Sequence, residues 1–228
     1  MRVSTKPNAA LAALAVAAYL GGTFAGTAFA ADLPSYKPPS RGAPSSRVGG
    51  GTRSIIPPRQ IWALAPDHTG LTTREQPSLY WFVAKPVTAY LELTAINDKA
   101  AKPLLELTIA TPPMAGVQRV DLARHGVRLQ PGVEYHWNVS FHGDPKQRSN
   151  SARIERLVPD AALAKRLEAT PKAGQPAVYA EEGLWYDAIA AIGELIERSP
   201  NDADLRRQRA ALLEQAGLPE AAAADARR

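Results

Sequence analysis

The sequence predicts a mainly β chain with α structure at its C-terminal end: an immunoglobulin- or fibronectin-like antiparallel β-sandwich followed by a helical hairpin. Three observations predict it. Between Ile61 and Leu157, short runs of β-branched and aromatic residues alternate with Pro, Gly, Asn and Asp at strand-and-turn spacing. In "VEYHWNVSFH" the apolar Tyr135, Trp137, Val139 and Phe141 alternate with the polar Glu134, His136, Asn138, Ser140 and His142, so one face of that strand is core and the other wet. After Pro159 the apolar period changes from two to about 3.6, the period of a helix.

Residues 1–30 read as an export signal. Arg2 and Lys6 supply a positive start, Ala9 to Leu20 an apolar run, and Ala28-Phe29-Ala30 a small-x-small cleavage site. The run is about a dozen residues, whereas a membrane span needs about 20. The expectation is therefore cleavage after Ala30, a periplasmic or secreted product, and no membrane span in the mature chain. Residues 31–58 form an arm rich in Pro, Gly, Ser and Arg, too poor in apolar residues before Ile55 to offset its ordering entropy.

Residues 59–158 form the predicted sandwich. Its strands are Ile61 to Ala65, Leu79 to Val83, Ala89 to Ile96, Leu104 to Ile109, Val117 to Leu122, Tyr135 to Phe141 and Ala152 to Leu157. Leu129-Gln130-Pro131-Gly132-Val133-Glu134-Tyr135 resembles the Leu-x-Pro-Gly-x-x-Tyr corner of fibronectin and immunoglobulin-like domains, which gives Tyr135 a structural role alongside Trp137 and Trp81. "SLYWFVA" is apolar on both faces, so its second face needs a cover, which the C-terminal helices can supply.

Residues 159–228 form the helical region, with a short helix from Asp160 to Glu168 and a hairpin over 181–217. Trp185, Ala188, Ile189, Ile192, Leu195 and Ile196 form the stripe of the hairpin's first helix. Ser199-Pro200 ends it, Asn201 or Asp202 caps the second helix, and Gly217 closes that one. Gly183-Leu184 recurs as Gly217-Leu218, an offset of 34 residues that resembles the tetratricopeptide repeat over barely one repeat; Pro171 and Pro176 interrupt the place of a preceding helix.

The net charge of +5 does not point to nucleic acid. From Ile61 onward 20 basic residues face 21 acidic ones, so the excess lies in the signal and the arm. With no cysteine, thiolate chemistry and thiolate metal sites are excluded. "RGAPSSRVGGGTR", Arg41 to Arg53, lacks the lysine, the preceding strand and the following helix of a phosphate loop. His136 and His142 stand about 20 Å apart along a straight strand and cannot share an ion without a bend between them. No Gly-x-Ser-x-Gly elbow is present. No catalytic residue, cofactor or metal is assigned.

The candidate contact residues are Trp185, Tyr186 and Asp187, as anchors if the hairpin's stripe is not wholly buried; Asp144 and Arg148, in the turn "GDPKQRS"; and His68, in the loop "APDHTGLTTRE". For Trp185, a place in the core is the favoured alternative to an exposed anchor.

Four segments, "RGAPSSRVGGGTR", "LAPDHTGLTTREQPSLYWFV", "YHWNVSF" with "DPKQRS", and "YAEEGLWYDAIAAIGELIERSPND", resemble in content and order the bacterial family called domain of unknown function 928. The resemblance implies an exported protein with no established catalytic residues. It also implies a cysteine in many relatives where this chain has Gly143, so a redox or metal role there would not extend to it. The functional expectation is a non-catalytic module that binds an envelope or exported protein. The alternatives are a carbohydrate or peptidoglycan binder using exposed Tyr80 or Trp185, and an envelope enzyme using the His68 to Glu75 loop.

Overall fold

The alternation at Tyr135–Phe141 places β7 (Glu134–Phe141) at the centre of a sheet, as a computed structural model of the chain shows. The structure describes residue 1 and residues 33–39, 60–95, 102–112, 114–141, 144–148 and 152–227. Contacts divide the chain into Met1–Ala31 and Asp32–Arg228, and the architecture below is that of the second unit. The expected signal, Arg41 to Arg53, His142 and Gly143 lie outside the described residues.

Beside β7 lie β4 (Ala89–Ala95) and β9 (Ala152–Arg156), with β5 (Leu105–Ile109) outside β4 and β2 (Gly70–Thr72) outside β9. The register sets Leu91 opposite Val139, Leu93 opposite Trp137 and Ile154 opposite Tyr135, all buried. Every pair in this sheet is antiparallel except β2 with β9, which run parallel. A second sheet holds β1 (Ile61–Ala63), β3 (Ser78–Val83) and β6 (Gly116–Asp121), ordered β1-β3-β6 and antiparallel throughout. The fold is thus two mostly antiparallel sheets followed by C-terminal helices.

At the start of β7, Tyr135 Oη accepts a 2.9 Å hydrogen bond from the Gln130 backbone N–H. Gly132 in the same corner has φ +71°, a left-handed conformation that glycine adopts without steric cost.

Two strands were not expected. The loop around His68 contains β2, and the stretch expected as a turn at Asp144 contains β8 (Asp144–Arg148), which pairs with β7 across a register shift at Ser140 and Phe141. A three-residue strand and a strand opening on Asp-Pro carry no alternation long enough to read.

The helices are α1 (Ala161–Ala169), α2 (Gln175–Glu181), α3 (Trp185–Arg198), α4 (Ala203–Gln215) and α5 (Pro219–Ala226). Asp160 caps α1, its carboxylate accepting from Leu163 N at 2.7 Å, and Asp202 caps α4, accepting from Asp204 N and Leu205 N. The residues of the expected hairpin lie in α3 and α4, while α2 packs on α3 and α5 on α4. Pro176 does not interrupt α2; it sits in the first turn, where the missing N–H has no partner to lose.

Six consecutive residues of β3 are buried because both of its faces are covered. Helix α3 closes over the Tyr80 face, and a Cβ on Gly193 would stand 2.7 Å from Tyr80 Oη. One apolar core runs from the sheets into α2, α3, α4 and α5. Among the described residues, no helix is long and apolar enough to cross a membrane.

Candidate functional site

Trp185, Tyr186 and Asp187 open α3, and successive residues of a helix point about 100° apart. Such a trio exposes at least one side chain unless the helix start is enclosed. Here it is enclosed, and all three are buried. The condition for exposed anchors, a stripe not wholly buried, is not met at these three residues, and Trp185 takes the favoured place in the core; each faces a different part of the molecule.

Trp185 donates from its indole nitrogen to the Leu64 carbonyl at 2.9 Å. Tyr186 Oη accepts from Trp137 Nε1 at 2.8 Å and donates to the Arg153 carbonyl at 3.0 Å, fastening the helix to β7 and β9. A Cβ on Gly70 would lie 2.7 Å from the Tyr186 ring, so glycine is required where β2 passes under it.

Asp187 has no exposure at all. Its carboxylate accepts from Thr73 N at 2.6 Å, Thr73 Oγ1 at 3.0 Å and Thr72 Oγ1 at 2.9 Å, with Arg74 Nε 3.5 Å away. Burial pushes this carboxyl above the usual carboxylate range, while the Thr73 N–H, Arg74 and the threonine hydroxyls pull it back. Arg74 continues to Glu194 at 2.8 Å, two helical turns from Asp187 on the same face of α3. Arg74 and Glu194 also line an open cleft of about 410 Å³ with Lys172, Gln175, Tyr179 and Arg198.

A second cleft of about 380 Å³ is lined by Tyr80, Arg119, Glu197, Arg206, Arg209 and Asp225 among others. Asp225 is buried and held by Arg209 through two bonds of 2.6 and 2.7 Å, with Arg206 at 3.7 Å. Arg119 pairs with Glu197 at 3.0 Å. The charges lining this cleft thus face partners of opposite sign.

The third feature lies in residues 33–39, a part of the arm. Pro34 and Tyr36 are buried while Leu33, Ser35 and Lys37 are exposed, the period-two burial of an extended chain laid in a groove. The Tyr36 ring stacks on His68 at 5.9 Å and meets Trp185 edge-on at 5.0 Å. Tyr36 N donates to Gln215 Oε1 at 2.7 Å, Gln215 Nε2 donates to the Pro34 carbonyl at 2.9 Å, and Lys37 N donates to the Ala180 carbonyl at 3.0 Å. Gly183, at φ +73°, forms the floor; a Cβ there would stand 2.8 Å from the Lys37 carbonyl oxygen.

His68 is half-buried in this groove. Its Nδ1 lies 3.1 Å from the Thr69 carbonyl, which can only accept, so Nδ1 carries a proton. In the neutral ring Nε2 then accepts from Tyr36 Oη at 3.3 Å. Glu75, at the far end of the same loop, instead pairs with Arg128 at 2.6 Å and lies 3.9 Å from Arg156. Asp144 and Arg148 lie in β8, opposite Phe141 and Ser140. Trp81 and Trp137 are fully buried and Tyr80 is buried, so neither Tyr80 nor Trp185 is an exposed aromatic. Among the described residues no cluster of three His, Asp or Glu side chains has metal-binding geometry.

Sequence reasoning missed Tyr36, Gln215, Thr72, Thr73 and Arg74. Asp187 did carry a signal: a carboxylate between Trp185 and Ala188 in an apolar stripe needs donors.

A fold of two mostly antiparallel sheets closed by helices defines a class of mixed architecture, with no chemistry attached. The sequence profile of Domain of Unknown Function (DUF928) matches residues 48–226, and the chain belongs to that family. No curated protein matches the sequence. Among solved structures, that of Astrotactin-2, described as a conserved vertebrate-specific and perforin-like membrane protein involved in neuronal development, is similar at 13% identity and a TM-score of 0.29. The similarity covers 74% of this chain and 35% of that one, and at this TM-score it carries no argument.

Proposed function

We propose that this protein is an exported, non-catalytic binding or assembly module of the cell envelope whose helical region holds an extended segment of protein chain. The observation that carries the reading is the seating of residues 33–39 across the ends of α2 and α4 and the start of α3. Two of their backbone N–H groups and one carbonyl are satisfied by the groove, the manner in which proteins take up extended peptides. Export rests on the signal-like first thirty residues.

In this reading the sheets form an immunoglobulin-like sandwich, supported by the Tyr135 to Gln130 corner bond. The helices form tetratricopeptide-like hairpins, supported by left-handed Gly183 and Gly217 at equivalent connections 34 residues apart. The alternatives are less well supported, because Tyr80 and Trp185 are enclosed and because His68 and Glu75 bond to different partners. Cross-linking in the periplasm followed by mass spectrometry is expected to recover one defined envelope protein. Recovery of only abundant bystanders, or of the chain in the cytoplasm, would sink the reading.

A further inference from the structure

We infer that the groove between His68, Trp185, Gly183, Ala180 and Gln215 is a recognition site for a proline-flanked tyrosine segment of another protein, and that residues 33–39 occupy it as a built-in competitor. The inference rests on the binding-module reading and gives it a ligand class.

The occupant defines the chemistry. In Leu33-Pro34-Ser35-Tyr36-Lys37-Pro38-Pro39 the prolines fix φ near the extended value, so little entropy is lost on docking. Tyr36 fills the aromatic slot and is 7% exposed; its hydroxyl meets His68 Nε2. The occupant's backbone bonds to the Ala180 carbonyl and to the side chain of Gln215, and the Lys37 ammonium interacts electrostatically with Glu181. Ser35 and Lys37 are exposed. The site therefore reads a proline, a tyrosine two residues later, and a backbone that can approach Gly183.

Every named wall residue lies inside the family match at 48–226, and the occupant lies outside it. Residues 40–59 join the occupant to β1. Twenty residues span at most about 70 Å when fully extended.

The test uses the full chain and a fluorescein-labelled peptide of the sequence Asp32 to Ser40, followed by anisotropy. The peptide is expected to bind the Tyr36→Ala chain, whose slot is vacated, at least about tenfold more tightly than the unaltered chain. A peptide with alanine in place of its tyrosine should not bind, and Gln215→Ala added to Tyr36→Ala should weaken binding. Should Tyr36→Ala not fold, Lys37→Pro loosens the occupant by removing the N–H given to Ala180 and restricting the backbone of Tyr36, and a gain in affinity in the same direction is expected. Equal binding to altered and unaltered chains, or none at millimolar peptide, would overturn the inference. If cross-linking still captured one partner, the groove alone would be wrong; if the peptide bound but no partner were captured, the envelope reading would fall and the groove stand.

Discussion

Replacing Asp187 measures how firmly the helices are locked to the sheets. The carboxylate is wholly buried and collects Thr72, Thr73 and Arg74 from the chain just after β2. Asp187→Ala removes one acceptor from three donors and leaves Arg74 with Glu194 alone. Losing one partner of a buried charged network costs about 3–5 kcal/mol; the three donors share one carboxylate, so their separate values do not add. For a chain of this size 1 kcal/mol moves Tm by about 2–4 °C, so a fall of about 6–20 °C is expected by circular dichroism. Asp187→Asn keeps the shape and one acceptor, costs less, and isolates the proton. Burial raises the folded-state pKa of Asp187, so the folded chain holds this proton to higher pH than the unfolded chain does. Its contribution is fully present below the ordinary carboxylate pKa of about 4 and is lost as pH rises through the folded value. Because asparagine does not titrate, the cost of Asp187→Asn is expected to be larger at pH 4 than at pH 8 in urea titrations. A loss below about 1 kcal/mol for Asp187→Ala would place the network with exposed ion pairs. Equal costs for Asp187→Asn at the two pH values would show that Arg74 and the hydroxyls cancel the effect of burial.

Tyr186→Phe leaves Trp137 Nε1 buried without its acceptor and should cost about 1–3 kcal/mol in urea unfolding; adding Trp137→Phe should cost less than the sum of the two changes, and strict additivity would refute the bond's role. Gly193→Ala drives a methyl against Tyr80 Oη and should cost about 1–3 kcal/mol, part of it recovered by Tyr80→Phe. No loss on Gly193→Ala would mean that β3 and α3 can separate freely at that point.

What could be read in the sequence was whatever follows from period. The alternation of Tyr135, Trp137, Val139 and Phe141 located the central strand, and the two-faced apolarity of Leu79–Val83 required a cover, which α3 provides. What could not be read depends on pairing between distant residues. β2 is three residues long and exists through its parallel pairing with β9 and the ring of Tyr186 above Gly70. Residues 33–39 have the composition of a spacer, and their place is set by a slot between His68 and Trp185 that no local pattern announces. Periodicity reports which residues share a face, but not whether the face meets water or protein. That is why the stripe of α3 was legible while the burial of the whole trio Trp185, Tyr186 and Asp187 was not.

The same trio bears on where the sheets end and the helices begin. A boundary near residue 158 follows the change of period, yet the core does not stop there. Trp185 donates to Leu64, Tyr186 joins Trp137 to Arg153, and Asp187 gathers Thr72 and Thr73, so consecutive residues of one helical turn close three different parts of the β region. Removing the helices would uncover both faces of that closure: the indole N–H of Trp137 would lose its acceptor, and the Tyr80 face of β3 its cover. Trp185 also forms the edge of the slot holding Tyr36. The turn that locks the fold therefore shapes the groove that holds Tyr36 as well: the indole that meets the Tyr36 ring is the one that donates to the Leu64 carbonyl.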